Sequence, residues 1–267
     1  MKFSLLVWHK LRLLGRLPGS YQLFYFLANL IYRNGSLVRV RMGPAAGFLW
    51  RHYHGYQPWM ALGLYEPDTA ELIYRSLSPG QVFYDIGGNA GYFTLIAAKA
   101  VGRNGRVIAF DPMPKHAATI HEQITINRLQ DICCVRQCAL AHIEGERPFL
   151  IPRRSANAHL AEVEAPHVLG GEVGETITVP LMTLDRVVSQ EPWPNFIKMD
   201  IEGSEVKALQ GAESLLSSPQ APVFLITAHS DALDQQVRSI LQRHGYQFGA
   251  FRPMIHALPH HRQGERH

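Results

Sequence analysis

The sequence predicts an α/β fold in which a largely parallel sheet carries helices on both faces. Three observations lead there. From Glu66 onward, short apolar β-type runs alternate with helical periodicities, the pattern of strand-helix-strand units. One of those runs, VFYDI, ends in an acid and is followed at once by a glycine-rich turn and a helix start. The chain also has 267 residues with 46% hydrophobic positions, enough to bury one full core. Disorder, a collagen repeat and a disulfide scaffold are excluded on the same composition.

Charge divides the chain near residue 65. Residues 1–65 hold eight basic residues (Lys2, Lys10, Arg12, Arg16, Arg33, Arg39, Arg41, Arg51) and no acid; the whole chain carries +4, so the rest carries +4 − 8 = −4. A basic extension on a mildly acidic body is not the footprint of a nucleic-acid binder. The extension reads as two short helices over 3–14 and 20–32, punctuated by Gly15, Pro18 and Gly19, then a strand at 37–42 that Gly43-Pro44 ends as half of a hairpin. Two readings compete for residues 1–32, and the first is favoured because short apolar helices are more often core than membrane contacts. One is a helical cap on the main domain; the other is a basic, aromatic-rich element in peripheral contact with anionic lipid. The apolar run 21–32 has 12 residues against the roughly 20 that span a bilayer, and the opening apolar run stops at His9 and Lys10, so neither a membrane span nor a secretory leader is expected. The expected location is the cytoplasm.

From there the elements follow in order: helix 67–77, strand 82–86, helix 90–101, strand 106–110, helix 114–127, strands 132–139, 146–151 and 176–180, helix 183–190, strand 195–200, helix 204–216, strand 222–228 and helix 231–243. In the last helix Leu233, Val237, Ile240 and Leu241 fall on one face, with Asp231 placed to cap its start and Gly245 just past its end. Residues 152–175 read as a long surface loop, a common place for function. Cys133, Cys134 and Cys138 crowd one β-type run without the spaced partners of a zinc site, so buried thiols are expected. The domain boundaries are thus 1–65 for the extension, 66–252 for the main domain and 253–267 for a tail.

Four signals carry chemistry. In VFYDIGGNAGYFT (82–94), Gly87, Gly88 and Gly91 provide a turn that a ligand at the strand ends can approach closely. A dinucleotide fingerprint needs glycine at 87, 89 and 92, and Asn89 and Tyr92 break it. Asp85 at the strand end repels a pyrophosphate but suits a cofactor with an amino group and a sulfonium, as in S-adenosylmethionine. The next strand ends at Asp111, placed to accept both hydroxyls of a ribose, with a helix N-cap as the plainer alternative. In NFIKMDIEGSE (195–205), alternation puts Lys198, Asp200 and Glu202 on one face, against Ile197, Met199 and Ile201. Charges on a central strand are costly unless they pair or do work, and a Lys198–Asp200 structural pair is the alternative to a functional group. Last, His229 follows the apolar strand 222–228 and precedes a helix. Asn127 is expected to close its helix in the left-handed conformation.

Taken in order, GLYEP (63–67), YDIGGNAGYFT, AFDP (109–112), Asn127, CAL (138–140), MTLDRV (182–187), KMDIEGSEVKALQGAESLL (198–216) and His229 resemble the FkbM family of methyltransferases. The resemblance covers residue 63 to about 250. It implies a Rossmann-like class I methyltransferase fold with a seven-stranded, mostly parallel sheet flanked by helices, and a small helical and hairpin N-terminal extension. It implies S-adenosylmethionine as donor and O-methylation of a hydroxyl on a sugar, glycolipid, glycan or secondary metabolite. Carried over by motif, Glu66, Asp85, Gly87, Gly88, Asn89, Gly91, Tyr92, Asp111 and Asp200 fall at the cofactor, and His229, Asp200, Glu202 and Lys198 at the catalytic group. The chain departs from the family in Gly88 for the usual Ala, Asp111 for Glu, and Thr227 for the Glu two residues before the His.

For the proton of the acceptor hydroxyl the candidates are His229, then Asp200, with Glu202 orienting the acceptor. A divalent ion held by Asp200 and Glu202 ranks lower, because two carboxylates alone are a thin ligand set; no metal ligand is assigned and metal need is left open. The acceptor is expected to be a small molecule or glycan and nucleic acid is not a partner; the oligomeric state is left open. Arg51, Tyr53, His54, Tyr56 and Trp59 form an aromatic, hydrogen-bonding cluster suited to sugar faces, with a core role as the alternative. Two rival readings are an NAD-dependent oxidoreductase on the same sheet and a non-catalytic membrane- or protein-docking module of the same fold.

Overall fold

The computed structural model describes residues 25, 31–152, 159–160, 173–251 and 254–260. The helices expected over 3–14 and most of 20–32, and the greater part of the loop 152–175, lie outside the described residues. In chain order the elements are β1 (Ser36–Arg39), β2 (Leu49–His52), α1 (Trp59–Leu62), α2 (Pro67–Ser76), β3 (Val82–Ile86), α3 (Tyr92–Val101), β4 (Arg106–Phe110), α4 (Pro114–Ile126), β5 (Cys133–Arg136), β6 (Ala139–Leu140), β7 (Gly145–Pro152), β8 (His159–Leu160), β9 (Val173–Met182), α5 (Leu184–Val188), β10 (Phe196–Met199), α6 (Glu205–Gln210), α7 (Glu213–Ser217), β11 (Val223–Ile226), α8 (Asp231–Arg243), β12 (Tyr246–Phe248) and β13 (Ile255–Pro259).

A seven-stranded sheet has the order β12-β13-β11-β10-β3-β4-β5, and a separate four-stranded sheet the order β6-β9-β7-β8. β10 pairs in parallel with both β3 and β11, while β13 runs antiparallel to β11 and β12. The strand order turns back at β3: β4 and β5 lie on one side and β10 and β11 on the other. That reversal between β3 and β10 is where an open α/β sheet leaves a crevice at its carboxyl ends. β13 falls inside the stretch assigned to the tail, and its alternating buried positions show why it belongs to the sheet.

Contacts divide the chain into two compact units that interleave in sequence. The first is drawn from Met1–Gly80, Asn89–Val107 and Ala118–Cys134, the second from Gln81–Gly88, Ile108–Ala117 and Val135–His267. In the first, β1 and β2 form an antiparallel pair. The outer edge of β2 is closed by two side-chain amides of α4 and its end. Gln123 accepts from Arg51 N–H at 3.0 Å and donates to Arg51 O at 2.9 Å; Asn127 does the same with Leu49, at 2.8 Å each way. Asn127 is therefore not the left-handed residue expected; Arg128 takes that conformation, with φ 56°. The cluster at 51–59 is largely committed to the same packing. Arg51 and Tyr53 both bond Glu122, at 3.0 and 2.7 Å, and Tyr56 bonds Thr119 at 3.2 Å.

In the second unit β10 and β11 are buried at every position, as apolar central strands should be, with Lys198 the exception in character. The helix expected over 204–216 is broken at Gly211, where a Cβ would meet the Ala141 carbonyl oxygen at 2.2 Å. That close approach admits only glycine, and α7 begins beyond it. Ser230, rather than Asp231, caps α8, accepting from Leu233 N–H at 3.2 Å. Asp231 and Asp234 sit in the first turn, where the helix dipole favours them. Cys133 in the first unit and Cys138 in the second are buried thiols, each pushed up to about 12 by burial.

Candidate active site

Three neighbouring strands of the second unit bring the chemistry together. β3 and β10 are in register so that Asp85 lies opposite Lys198, and Lys198 in turn lies opposite Leu225 of β11. The side chains of Asp85 and Lys198 are 0% and 3% exposed, and Lys198 Nζ stands 4.0 Å from Asp85 Oδ1 and 3.6 Å from Asp200 Oδ2. The same ammonium donates to Gly87 O at 3.3 Å. The buried lysine thus bridges both carboxylates and the glycine loop, which goes beyond the Lys198–Asp200 pair weighed from sequence. Burial of a charge on this scale is sustained only by such pairing.

β10 ends at Met199, so Asp200 and Glu202 belong to the turn beyond the strand rather than to its face. Asp200 N–H donates to Ile86 O at 3.0 Å, tying this turn to the end of β3. Glu202 adopts φ 54° and Gly203 φ 101°, which folds the chain back toward α6. Gly87 fits this junction for a reason unrelated to phosphate: at φ +78° a Cβ on it would lie 1.9 Å from the Asp200 carbonyl oxygen. Gly87 and Gly88 both donate to Phe110 O, at 2.9 and 3.1 Å, which anchors the loop to the residue before Asp111.

His229 closes the group. Its Nε2 donates to Asp200 Oδ1 at 3.0 Å, and its Nδ1 stands 3.7 Å from Glu202 Oε2. Glu205, which the sequence reading missed, lies behind it with Oε1 3.8 Å from His229 Nε2. Glu205 is 0% exposed and its Oε1 accepts from Ile201 and Gly203 N–H at 3.1 and 3.2 Å. The last letter of the Asp-Ile-Glu-Gly-Ser-Glu run was the available signal for it, but a first-turn helix acid normally faces water.

The charges act on one another. The hydrogen bond to Asp200 pushes His229 up to about 9 against the opposing effect of burial, with Glu202, Asp200 and Glu205 adding to the rise. Burial alone would raise the Asp200 carboxyl, but the Lys198 ammonium and the His229 bond outweigh it and hold it below the usual range. Burial raises the Glu205 carboxyl, against the pull of its backbone N–H bonds and His229. At neutral pH the site therefore holds a protonated imidazole beside an ionised Asp200.

Asp111 is 4% exposed. Its Oδ1 accepts from Met113 N–H at 3.0 Å, and His116 Nδ1 is 3.2 Å from both carboxylate oxygens. His116, in the first turn of α4, is a second residue the sequence does not single out. The remaining candidates belong to the first unit. Glu66 precedes α2 with φ 37°, Asn89 has φ 52° and Gly91 φ 84°. Tyr92 is buried against Trp50 and Tyr65, ring centroids 6.0 and 5.6 Å away, and its buried hydroxyl has no hydrogen-bond partner among the described residues. Burial, then the Glu66 charge, raises that phenol well above its ordinary value.

Residues 85–248 match the methyltransferase FkbM domain, well over half of the 267-residue chain. The hexuronic acid methyltransferase AglP of Haloferax volcanii is 24% identical over 172 residues, covering 63% of this chain and 65% of that protein, just under two thirds of its length. Among solved structures, an O-methyltransferase of Thermotoga maritima is 12% identical, with 84% of this chain and 72% of that chain covered at a TM-score of 0.42. A precorrin-6y C5,15-methyltransferase of Geobacter metallireducens is 12% identical, with 69% and 75% covered at a TM-score of 0.45. Likenesses to structures at this level carry no argument about chemistry. The domain match, by contrast, spans Asp85, Lys198, Asp200, Glu202 and His229, and it shows that this chain belongs to the FkbM methyltransferase family.

Proposed function

We propose that the protein is an S-adenosylmethionine-dependent O-methyltransferase whose acceptor is a hydroxyl of a sugar or glycan. The observation that carries this reading is the convergence of Asp85, Lys198, Asp200, Glu202 and His229 at the reversal point of a mostly parallel sheet. The donor set fits the cofactor. Acidic groups outnumber cationic ones there, Lys198 is engaged by Gly87 O and two carboxylates, and such a surface favours a sulfonium and an amino group over a diphosphate. Asp85, Gly87, Gly88 and Asp111 are the residues of the second unit that would hold it, Asp111 taking the ribose hydroxyls. Glu66, Asn89, Gly91 and Tyr92 are proposed for the same cofactor from their place in the motif.

When bound, S-adenosylmethionine supplies a methyl group already activated on sulfur. The residues of the chain then have two tasks. They hold the acceptor oxygen in line, and such positioning supplies about 7–11 kcal/mol of the barrier. They also give the hydroxyl proton somewhere to go as the oxygen–carbon bond forms. The ionised Asp200 carboxylate, held by the protonated His229, is placed to receive it, with Glu202 orienting the acceptor and Lys198 fixing the Asp200 carboxylate. A uronic acid acceptor is supported by AglP, a hexuronic acid methyltransferase by name.

No helix among the described residues is long and apolar enough to cross a membrane. We place the protein in the cytoplasm, in peripheral contact with anionic lipid. Ile31 and Leu37 are 70% and 45% exposed beside exposed Arg33, Arg39 and Arg41, which supports that contact. The test of the function is twofold: calorimetry with S-adenosylhomocysteine and with NAD, and mass spectrometry of uronic-acid glycans incubated with labelled donor. Binding of the demethylated cofactor and gain of one methyl group are expected. Heat with NAD alone would refute the reading and return the oxidoreductase.

A further inference from the structure

Asp200, Glu202 and His229 each offer one ligand atom, and these three atoms lie within 4.8 Å of one another. They differ in chemistry, two carboxylate oxygens and one imidazole nitrogen, and they come from two separate loops at the carboxyl ends of adjacent parallel strands. A second observation points to the same place. Glu205 is wholly buried with its Oε1 3.8 Å from His229 Nε2, and among the described residues its Oε2 has no hydrogen-bond partner. A dehydrated carboxylate oxygen beside two further carboxylates is costly unless positive charge is near. With Asp85 the group has four carboxylates against the two cations Lys198 and His229, and Lys198 lies toward Asp85 and Gly87.

We propose that Asp200, Glu202 and His229 form a divalent-cation site, with Glu205 as the buried acid behind it. Oxygen-rich ligation with one imidazole and no thiolate suits Mn²⁺ or Mg²⁺. Three protein ligands leave coordination positions for water or for oxygens of the acceptor, and a cation there would lower the pKa of a coordinated hydroxyl. The imidazole sits between the two carboxylates; a cation bound there would take the place of the proton on one ring nitrogen, which is released to solvent, while the other ring N–H keeps a carboxylate partner, the usual arrangement around a ligating histidine. The cation's role in the reaction rests on the methyltransferase reading, but its binding does not. The proposal goes beyond the sequence expectation, which counted only the two carboxylates, by adding His229 beside them.

The test uses the full chain, freed of metal by chelation, without donor or acceptor. Mn²⁺ is followed by calorimetry and by loss of the free-ion paramagnetic resonance signal. One site per chain is expected, with affinity at least tenfold weaker in Glu202→Gln and in His229→Asn, and unchanged in Asp234→Asn, which lies in an ion pair with Arg238 on α8. Thermal melts establish that the variants are folded; Glu202 is partly exposed, so its amide variant keeps the fold. No binding of Mn²⁺, Mg²⁺ or Ca²⁺ at millimolar concentration would overturn the proposal, as would Mn²⁺ affinity unchanged in both site variants. S-adenosylhomocysteine binding is measured separately. Its presence without Mn²⁺ binding sinks only the cation site, and its absence alongside Mn²⁺ binding sinks only the methyltransferase reading.

Discussion

Gly87→Ala offers the most direct test of how the glycine loop and the Asp200 turn are built. Two costs add at this position. A side chain at φ +78° is disfavoured by about 1–2 kcal/mol. The new Cβ would also lie 1.9 Å from the Asp200 carbonyl oxygen, 2.9 Å from its carbon and 3.3 Å from Ile201 Cγ2. Both nearest atoms are backbone, so relief requires the loops to part by roughly 1 Å, an overpacking cost of about 1–3 kcal/mol. Together these predict a loss of about 2–5 kcal/mol and a fall in Tm of about 5–15 °C. Gly80→Ala is the control, because Gly80 has φ +88° with nothing within 4 Å of a Cβ and bears only the conformational cost. Parting the loops also loosens the 3.0 Å bond from Asp200 N–H to Ile86 O, so affinity for S-adenosylhomocysteine should fall at least tenfold in Gly87→Ala alone. Paired calorimetric melts and binding titrations decide the matter. If the two variants melt together and bind equally, the contact with Asp200 is not what requires glycine here.

Four further outcomes are expected. In chelated protein the His229 ring should titrate near 9 by NMR, and Asp200→Asn should lower that value by one unit or more. Because the folded value lies above 6.5, the protonated imidazole stabilises the native state; up to ~3 kcal/mol is present below pH 6.5 and is lost as pH rises to about 9, which urea unfolding of wild type against His229→Asn should show. Gln123→Ala and Asn127→Ala should each cost about 1–3 kcal/mol and speed hydrogen exchange at the amides of Arg51 and Leu49, with unchanged exchange ruling out the edge closure. Tyr92→Phe removes a buried hydroxyl that has no partner among the described residues, so its Tm should hold or rise; a drop of several degrees would reveal a bond to that oxygen.

The parts of the fold that could be read from sequence are those set by local patterning. The strand at 82–86 and the helix at 231–243 are bounded as expected, because an uninterrupted apolar run and a capped amphipathic period each define their own ends. β2, β12 and β13 were missed because they are short and become strands by pairing, β13 between two antiparallel neighbours. The helix over 204–216 carried a continuous period, yet the Ala141 carbonyl opposite Gly211 breaks it, a contact between residues 70 positions apart. Tertiary approach of that kind leaves only a glycine in the sequence, and a single glycine in a helical period has several explanations.

The same distinction governs the site. Asp85, Lys198, Asp200 and His229 were singled out because charge at the end of an apolar strand is anomalous in itself. Glu205 and His116 sit in first turns of helices, where an acid or a histidine is unremarkable, and only folding shows that one is fully buried against His229 and the other clasps Asp111. Gly87 has a structural cause that the ligand-approach argument does not contain: a Cβ there would run into the Asp200 backbone. This has a consequence for the chemistry. The loop that would hold the donor and the turn that carries Asp200 are locked by one glycine and by the Asp200–Ile86 bond, so neither can shift without the other. Lys198 adds a third link by donating to Gly87 O while facing Asp200. Substituting Lys198 should therefore disturb donor binding and the His229 environment together, which is the behaviour of a positioning residue rather than of a proton carrier.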